Sequence, residues 1–273
     1  MKIILSDVTL NIEEYPNNSS GKNYIFFLHG FTGSTGDWNE IIPSLKNNFN
    51  FIALDLIGHG RSDSPGNLSL YSADSIVDQI HQTIQYFTKK PIILAGYSMG
   101  GRAALSYASK HQHLLKGLIL ESTNAGIMEE NSRKQRIEDD KKLAEFIETH
   151  TIEEFVDYWS NISLFKSQLN LPKEKLDIIK KTKLLNSKTG LANCLRGFST
   201  GTMPPLMNDI KTIMTKTLLI SGELDLKFTG INTELVNIFP DASHLIIKNA
   251  GHNVHLEQPT LFINVINDFL DKF

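Results

Sequence analysis

Five residues constrain this chain more than any others: Gly96-Tyr97-Ser98-Met99-Gly100. An apolar run from Pro91 to Ala95 precedes them and reads as a buried strand, and Arg102 to Ala108 follows and reads as a helix. Gly-x-Ser-x-Gly between a strand and a helix is the setting of a nucleophile elbow. The turn is so tight that its serine takes a strained backbone conformation. Side chains at Gly96 and Gly100 would collide with the neighbouring strand and helix. The Ser98 hydroxyl then projects at a helix N-terminus, where developing negative charge is favoured. So short a pattern also arises by chance, and its meaning rests on what lies downstream.

Two further residues complete a constellation. Asp225 follows the apolar run Thr217 to Ile220 and the turn Ser221-Gly222-Glu223-Leu224, on a loop past a strand end. His252 lies in Ala250-Gly251-His252-Asn253, past the run Leu245 to Ile247. A hydroxyl, a carboxylate and an imidazole in the chain order Ser, Asp, His, each leaving a strand, are the parts of a catalytic triad. His29-Gly30-Phe31 follows the strand Tyr24 to Leu28. The backbone N–H groups of Phe31 and of Met99, the residue after the serine, are the expected oxyanion hole. The other reading is an ordinary turn with a structural His29. The Gly-rich turn Asp55 to Ser62, after the strand Phe51 to Leu54, reads as scaffolding.

Apolar residues make up 41% of the 273, enough for a sizeable core and too many for intrinsic disorder. A net charge of −3 offers no basic excess for nucleic acid. The single cysteine, Cys194, permits no intrachain disulfide and fits a reducing compartment. The run Met1 to Leu5 is too short for a signal peptide, and no apolar stretch approaches a membrane span. The expectation is a soluble cytoplasmic protein. Asn17 to Gly21 reads as a turn cluster between two early strands, and Pro259 to Phe273 as a closing helix. Short, nearly all-apolar strands, alternating with helices such as Ala73 to Phe87, predict a mostly parallel α/β sheet covered on both faces. Residues 126–205 break this rhythm. They hold no convincing strand, and helices are read at Glu129 to His150, Ile152 to Trp159, Lys173 to Leu184 and Leu191 to Phe198. This segment is expected to be a helical cap, inserted into a core of residues 1–125 and 206–273, that shields the serine and contacts substrate.

Taken together these residues resemble the α/β-hydrolase superfamily, and finer features narrow the likeness. They are Gly100-Gly101-Arg102, Arg133 and Arg136 ahead of Asp140 and Leu143-Ala144, Trp159, and Leu164-Phe165 with Ser167. To these are added Leu195-Arg196-Gly197 with Ser199-Thr200-Gly201, and Gly222-Glu223 with Asp225 and Lys227-Phe228. From about Tyr24 onward the set resembles the 2-succinyl-6-hydroxy-2,4-cyclohexadiene-1-carboxylate synthase family of menaquinone biosynthesis. The resemblance implies a lyase that eliminates pyruvate from 2-succinyl-5-enolpyruvyl-6-hydroxy-3-cyclohexene-1-carboxylate. Ser98, polarised by His252, would be the general base, and Asp225 would orient His252. The enolate oxygen would sit between the Phe31 and Met99 amides, with no metal or cofactor.

The resemblance also implies substrate contacts from Arg102, Arg136, Trp159 and Tyr97. Arg133 lies one helical turn before Arg136 and could share its face. Lys183, in Lys183-Leu184-Leu185-Asn186, stands where the family often has arginine; it keeps the charge and loses the planar fork. Plainer roles stay open for all of them: ion pairs of Arg133 or Arg136 with Glu129, Glu130 or Asp140, a structural ion pair for Arg102, and packing for Trp159 and Tyr97. The expected partner is a small polycarboxylate, with no nucleic acid or membrane, and the chain is expected to be a monomer or homodimer. A serine hydrolase acting on a carboxylic ester or a C–C bond, and a non-enzymatic ligand-binding member of the fold, remain alternatives.

Overall fold

The computed structural model describes residues 1–16, 23–46 and 48–273. The turn cluster read at Asn17 to Gly21 lies outside the described residues. Eight strands form one sheet: β1 (Lys2–Ile4), β2 (Thr9–Tyr15), β3 (Tyr24–Leu28), β4 (Asn50–Leu54), β5 (Ile92–Tyr97), β6 (Leu115–Glu121), β7 (Lys216–Gly222) and β8 (Ala242–Ile247). Their order is β1-β2-β4-β3-β5-β6-β7-β8. The first two strands pair antiparallel, with each other and then with β4, and every later pair is parallel.

The strands read as unbroken apolar runs because both faces are buried. Along β3, Phe26 and Leu28 enter one hydrophobic cluster while Ile25 and Phe27 enter the other. The same alternation holds for Ile52 and Leu54 against Phe51 and Ala53 in β4, and for Leu94 against Ile93 and Ala95 in β5. A period of two with both sides apolar is the mark of a sheet between helical layers. Helix α1 (Ala73–Phe87), capped by the Ser72 side chain on the Ser75 N–H, buries Ile76, Ile80 and Ile84. Helices α2 (Met99–His111), α8 (Leu226–Leu235), α9 (Val254–Glu257) and α10 (Pro259–Leu270) complete the cover.

Between β6 and β7 the chain runs through α3 (Glu130–Thr149), α4 (Ile152–Ser160), a 3₁₀ stretch, α5 (Lys173–Leu184), α6 (Lys188–Phe198) and the short α7 (Met207–Ile210). A separate small cluster joins α3, α4 and α6 through Ala144, Ile147, Phe155, Val156, Leu191 and Leu195. Phe31 packs against both this cluster and the main core. The segment docks onto the scaffold by backbone contact: a Cβ at Gly190, in the first turn of α6, would collide with the Gly58 carbonyl, and one at Gly58 would lie 2.8 Å from the Gly190 oxygen. Gly58 also holds a φ of 80°, in the left-handed region that favours glycine. The Gly-rich turn after β4 is therefore the floor on which α6 sits. Among the described residues no helix is long and apolar enough to cross a membrane.

Gly190→Ala should push α6 away from this turn and lower stability by about 1–3 kcal/mol, the usual range for overpacking. Urea unfolding checks this; a midpoint equal to that of the parent protein would show that the contact yields without cost.

Candidate active site

Ser98 joins β5 to α2 with φ 49° and ψ −104°. A β-substituted residue there is strained by roughly 1–3 kcal/mol. Its surroundings hold it in place. The Ser98 N–H donates to the Glu121 carbonyl of β6 at 2.8 Å, and the Ser98 carbonyl accepts from the Arg102 N–H at 3.0 Å and the Thr123 hydroxyl at 2.8 Å. A Cβ on Gly96 would fall 2.6 Å from the Gly101 nitrogen, and one on Gly100 would collide with the Leu28 carbonyl at the end of β3. The two glycines thus let α2 start directly against the strands.

Asp225 lies just past β7 and caps α8: its Oδ1 accepts from the Phe228 N–H at 3.2 Å. Its Oδ2 accepts from His252 Nδ1 at 2.6 Å, which leaves Nε2 to accept from the Ser98 hydroxyl at 3.0 Å. The three side chains therefore form one hydrogen-bonded line. The imidazole is almost wholly buried and held by the rings of Phe228 (4.4 Å between centroids), Tyr97 (5.5 Å) and Phe165 (6.0 Å). Glu257 braces the loop by accepting from the Gly251 N–H (2.7 Å) and the Asn253 N–H (3.3 Å).

The turn after β3 is fixed by a buried His29, whose Nδ1–H donates to the Gly30 carbonyl at 2.7 Å while Nε2 accepts from the Leu56 N–H at 3.0 Å. Burial pushes the pKa of His29 down to about 4, so it is neutral and structural. Neighbouring His59 is also buried, its pKa pushed down to about 3 by burial and by His29. Thr32 has a φ of 68°, and its carbonyl accepts from Asn186 Nδ2 at 2.9 Å; Asn186 Oδ1 in turn accepts from the Gly60 N–H at 3.0 Å. These bonds set Phe31 beside the elbow. Phe31 and Met99 line the same cavity as Ser98 and His252. The amides of Met99, Gly100 and Gly101 precede the first intrahelical donor of α2, Arg102, so they are free of its ladder.

That cavity has a volume of about 810 Å³. Arg102 lines it from α2, buried, with one Nη donating to the Phe198 carbonyl at 3.0 Å and its guanidinium 5.3 Å from the Phe198 ring centre. Among the described residues it has no ion-pair partner, and burial pushes its pKa down to about 10. Arg136 lines the cavity too, but its Nε is paired with the buried Asp140 carboxylate at 2.7 Å. Tyr97 and Trp159 are both wall residues; the Trp159 ring meets the edge of Phe31 at 5.3 Å.

Two of the expected contacts fall elsewhere. Arg133 is not on the cavity wall, because its Nε is turned to the Gly201 carbonyl at 2.8 Å and ties α3 to the Ser199-Thr200-Gly201 turn. Lys183 faces a smaller chamber of about 310 Å³ that shares Phe31, Tyr97 and Phe165 with the larger one as its dividing wall. There its ammonium donates to the Ser160 hydroxyl at 3.1 Å and lies 5.1 Å from the Phe165 ring centre, and burial pushes its pKa down to about 8. The bracing residues Asn186, Glu257 and Thr123 act through backbone amides and carbonyls. Asn186 closes the run Lys183 to Asn186 and Glu257 lies just ahead of Pro259, so both stood near a motif that could have flagged them; Thr123 did not.

Comparison with known proteins agrees with this geometry. A family model described as the alpha/beta hydrolase fold matches residues 23–259. A protein of Enterobacter sp. (strain 638) named 2-succinyl-6-hydroxy-2,4-cyclohexadiene-1-carboxylate synthase is 30% identical, over 88% of this chain and 88% of its own. A Bacillus subtilis (strain 168) protein that carries the same name provisionally is 40% identical, over 94% and 93% respectively. The solved structure of MenH from S. aureus superposes with a TM-score of 0.92 at 34% identity, covering 96% of this chain and 98% of that one.

His29 and His59 titrate lower in the folded protein than the ordinary value of 6.5, so the unfolded chain binds more protons between that value and about 4. Their contribution to stability is complete above about pH 6.5 and is lost as the pH falls toward 4. Urea midpoints measured from pH 7 to pH 5 should therefore decline, and His59→Gln should flatten the decline. An identical slope in that variant would remove His59 from the account.

Proposed function

We propose that this chain, which belongs to the α/β-hydrolase family, is a carbon–oxygen lyase that expels pyruvate from 2-succinyl-5-enolpyruvyl-6-hydroxy-3-cyclohexene-1-carboxylate to give 2-succinyl-6-hydroxy-2,4-cyclohexadiene-1-carboxylate. The observation that carries the proposal is the buried Arg102 guanidinium, without a carboxylate of its own, in the same cavity as the Ser98–His252–Asp225 line. An unpaired buried cation is costly, and an anionic ligand supplies the missing partner. Arginine suits a carboxylate because its planar fork can bind both oxygens.

The change from a 3-ene to a 2,4-diene defines the chemistry. A proton leaves the ring carbon beside the succinyl ketone, the double bonds shift, and the carbon–oxygen bond to the enolpyruvyl group breaks. Ser98, its hydroxyl bonded to His252 Nε2, takes the proton, and His252 carries it as an imidazolium that the Asp225 carboxylate stabilises. Charge developing on the ketone oxygen is met by the Phe31 and Met99 amides. The same proton returns to the departing enolpyruvate, which becomes pyruvate. No acyl–enzyme forms, so water need not reach the serine.

Residues 126–205 act as a cap on a core of residues 1–125 and 206–273, and Arg136, Trp159 and Tyr97 help to frame the substrate. The protein works in the cytoplasm, where its buried, unpaired Cys194 stays reduced. Its partner is a small polycarboxylate, and the chain acts as a monomer or homodimer.

The test compares pyruvate release from the enolpyruvyl cyclohexene substrate with hydrolysis of a simple aryl ester. Pyruvate release should dominate. A purified protein that hydrolyses the ester and releases no pyruvate is instead a serine hydrolase. Ser98→Ala should cut pyruvate release about 10²- to 10⁴-fold through loss of the base. Arg102→Ala should remove about 1.5–3 kcal/mol of binding to the anion, a rise of roughly 10- to 100-fold in KM. Turnover of a neutral ester impaired to the same degree would mark Arg102 as structural.

A further inference from the structure

Outside the triad, a second carboxylate–imidazole pair is buried beneath the site. Glu121 ends β6, directly opposite Tyr97 of β5 in the ladder. Its carboxylate accepts from the backbone N–H of His255 at 3.0 Å and from His255 Nδ1 at 2.7 Å. Both side chains are at most 2% exposed. The His255 ring stacks on Trp38 at 4.3 Å and meets Tyr97 edge-on at 5.1 Å. Tyr97 thus stands between two imidazoles, His255 on one side and His252 at 5.5 Å on the other. The Tyr97 ring also presses on the oxyanion loop, since a Cβ on Gly30 would fall 2.6 Å from it.

Stability alone is a poor reason to keep such a pair, because well-packed apolar residues often serve as well or better. What distinguishes Glu121 is its connections. Its main-chain carbonyl holds the Ser98 N–H, and its side chain holds the first residues of α9, immediately after His252. One residue thus bonds both to the backbone of Ser98 and to the segment that follows His252.

We propose that Glu121, through His255, is a positioning residue that fixes the distance between Ser98 Oγ and His252 Nε2. Neither Glu121 nor His255 lines the catalytic cavity, so they act through the two loops they join. Misplacement of a catalytic pair by about 1 Å can cost on the order of 100-fold in rate while leaving substrate binding intact.

The test uses the full chain with Glu121→Ala, Glu121→Gln and His255→Phe. Its activity arm rests on the lyase reading above; its spectroscopic arm does not. In Glu121→Ala, kcat for pyruvate release should fall about 10- to 100-fold with KM held within about twofold. Glu121→Gln keeps an acceptor for the His255 N–H and an amide that can donate to the ring, and should restore kcat to within about threefold of the parent. The low-field proton NMR signal of His252 Nδ1–H, assigned by its loss in Asp225→Asn, should move or broaden in Glu121→Ala and return in Glu121→Gln. If Glu121→Ala does not fold, His255→Phe, which keeps the stacked ring, should show the same changes. An unchanged signal and kcat in a folded variant overturns the proposal, as does failure of both variants to fold, or a rise in KM matching the fall in kcat. If the parent releases no pyruvate, the lyase reading fails and the NMR signal still decides this one.

Discussion

The hydrogen bond from the Ser98 amide to the Glu121 carbonyl, 2.8 Å long, is the interaction on which the site depends. A serine at φ 49° does not adopt that conformation by preference. Three hydrogen bonds to the Ser98 backbone offset the strain: the one to the Glu121 carbonyl and the two that the Ser98 carbonyl receives from the Arg102 N–H and the Thr123 hydroxyl. At about 0.5–1.5 kcal/mol each, they are of the same size as the distortion they oppose. They also require β6 beside β5 and α2 beginning without a spacer. The parallel order of the central strands and the geometry of Ser98 are therefore one constraint seen at two scales.

The charges around the cavity differ in how they are compensated. Arg136 is neutralised locally by Asp140. Lys183, at a pKa of about 8, keeps most of its charge at neutral pH, behind the wall formed by Phe31, Tyr97 and Phe165. Arg102 at about 10 stays fully charged, held by the Phe198 carbonyl and ring and by the Met203 sulfur. Its positive field acts next to the reacting serine, in surroundings where electrostatic effects are stronger than in bulk water. Among the described residues that line this cavity, Arg102 is thus the buried cation left without a carboxylate.

The strands and the triad were legible because their signals are local. Apolar runs mark buried strands, and Asp225 and His252 each follow one. Helix α8 was not anticipated: Thr229, Gly230, Asn232 and Thr233 are poor helix formers, and the element depends on the Asp225 cap at its start. Strand β8 is twice as long as its apolar run: at the sheet edge it adds an exposed Ser243 and, on the other face, a half-buried His244 bonded to the Ser221 hydroxyl at 2.8 Å. The side-chain directions of Arg133 and Lys183 could not be read at all. Helical spacing places Arg133 and Arg136 near one another, but it does not say that the Gly201 carbonyl claims the first and Asp140 the second. Glu121 and His255, far apart in sequence, meet because the end of β6 and the start of α9 converge beside Tyr97.

Phe31 belongs to two hydrophobic clusters, one beneath the sheet's helices and one inside the inserted helices, and its ring touches Phe155 and Trp159 as well as His59. The same residue lines the cavity that holds Ser98 and His252. The insertion is therefore no interchangeable module. Grafting another protein's helices onto this scaffold, or these helices onto another, would leave a void or a clash at Phe31 and would shift a wall of the Ser98 cavity that neither graft was meant to alter.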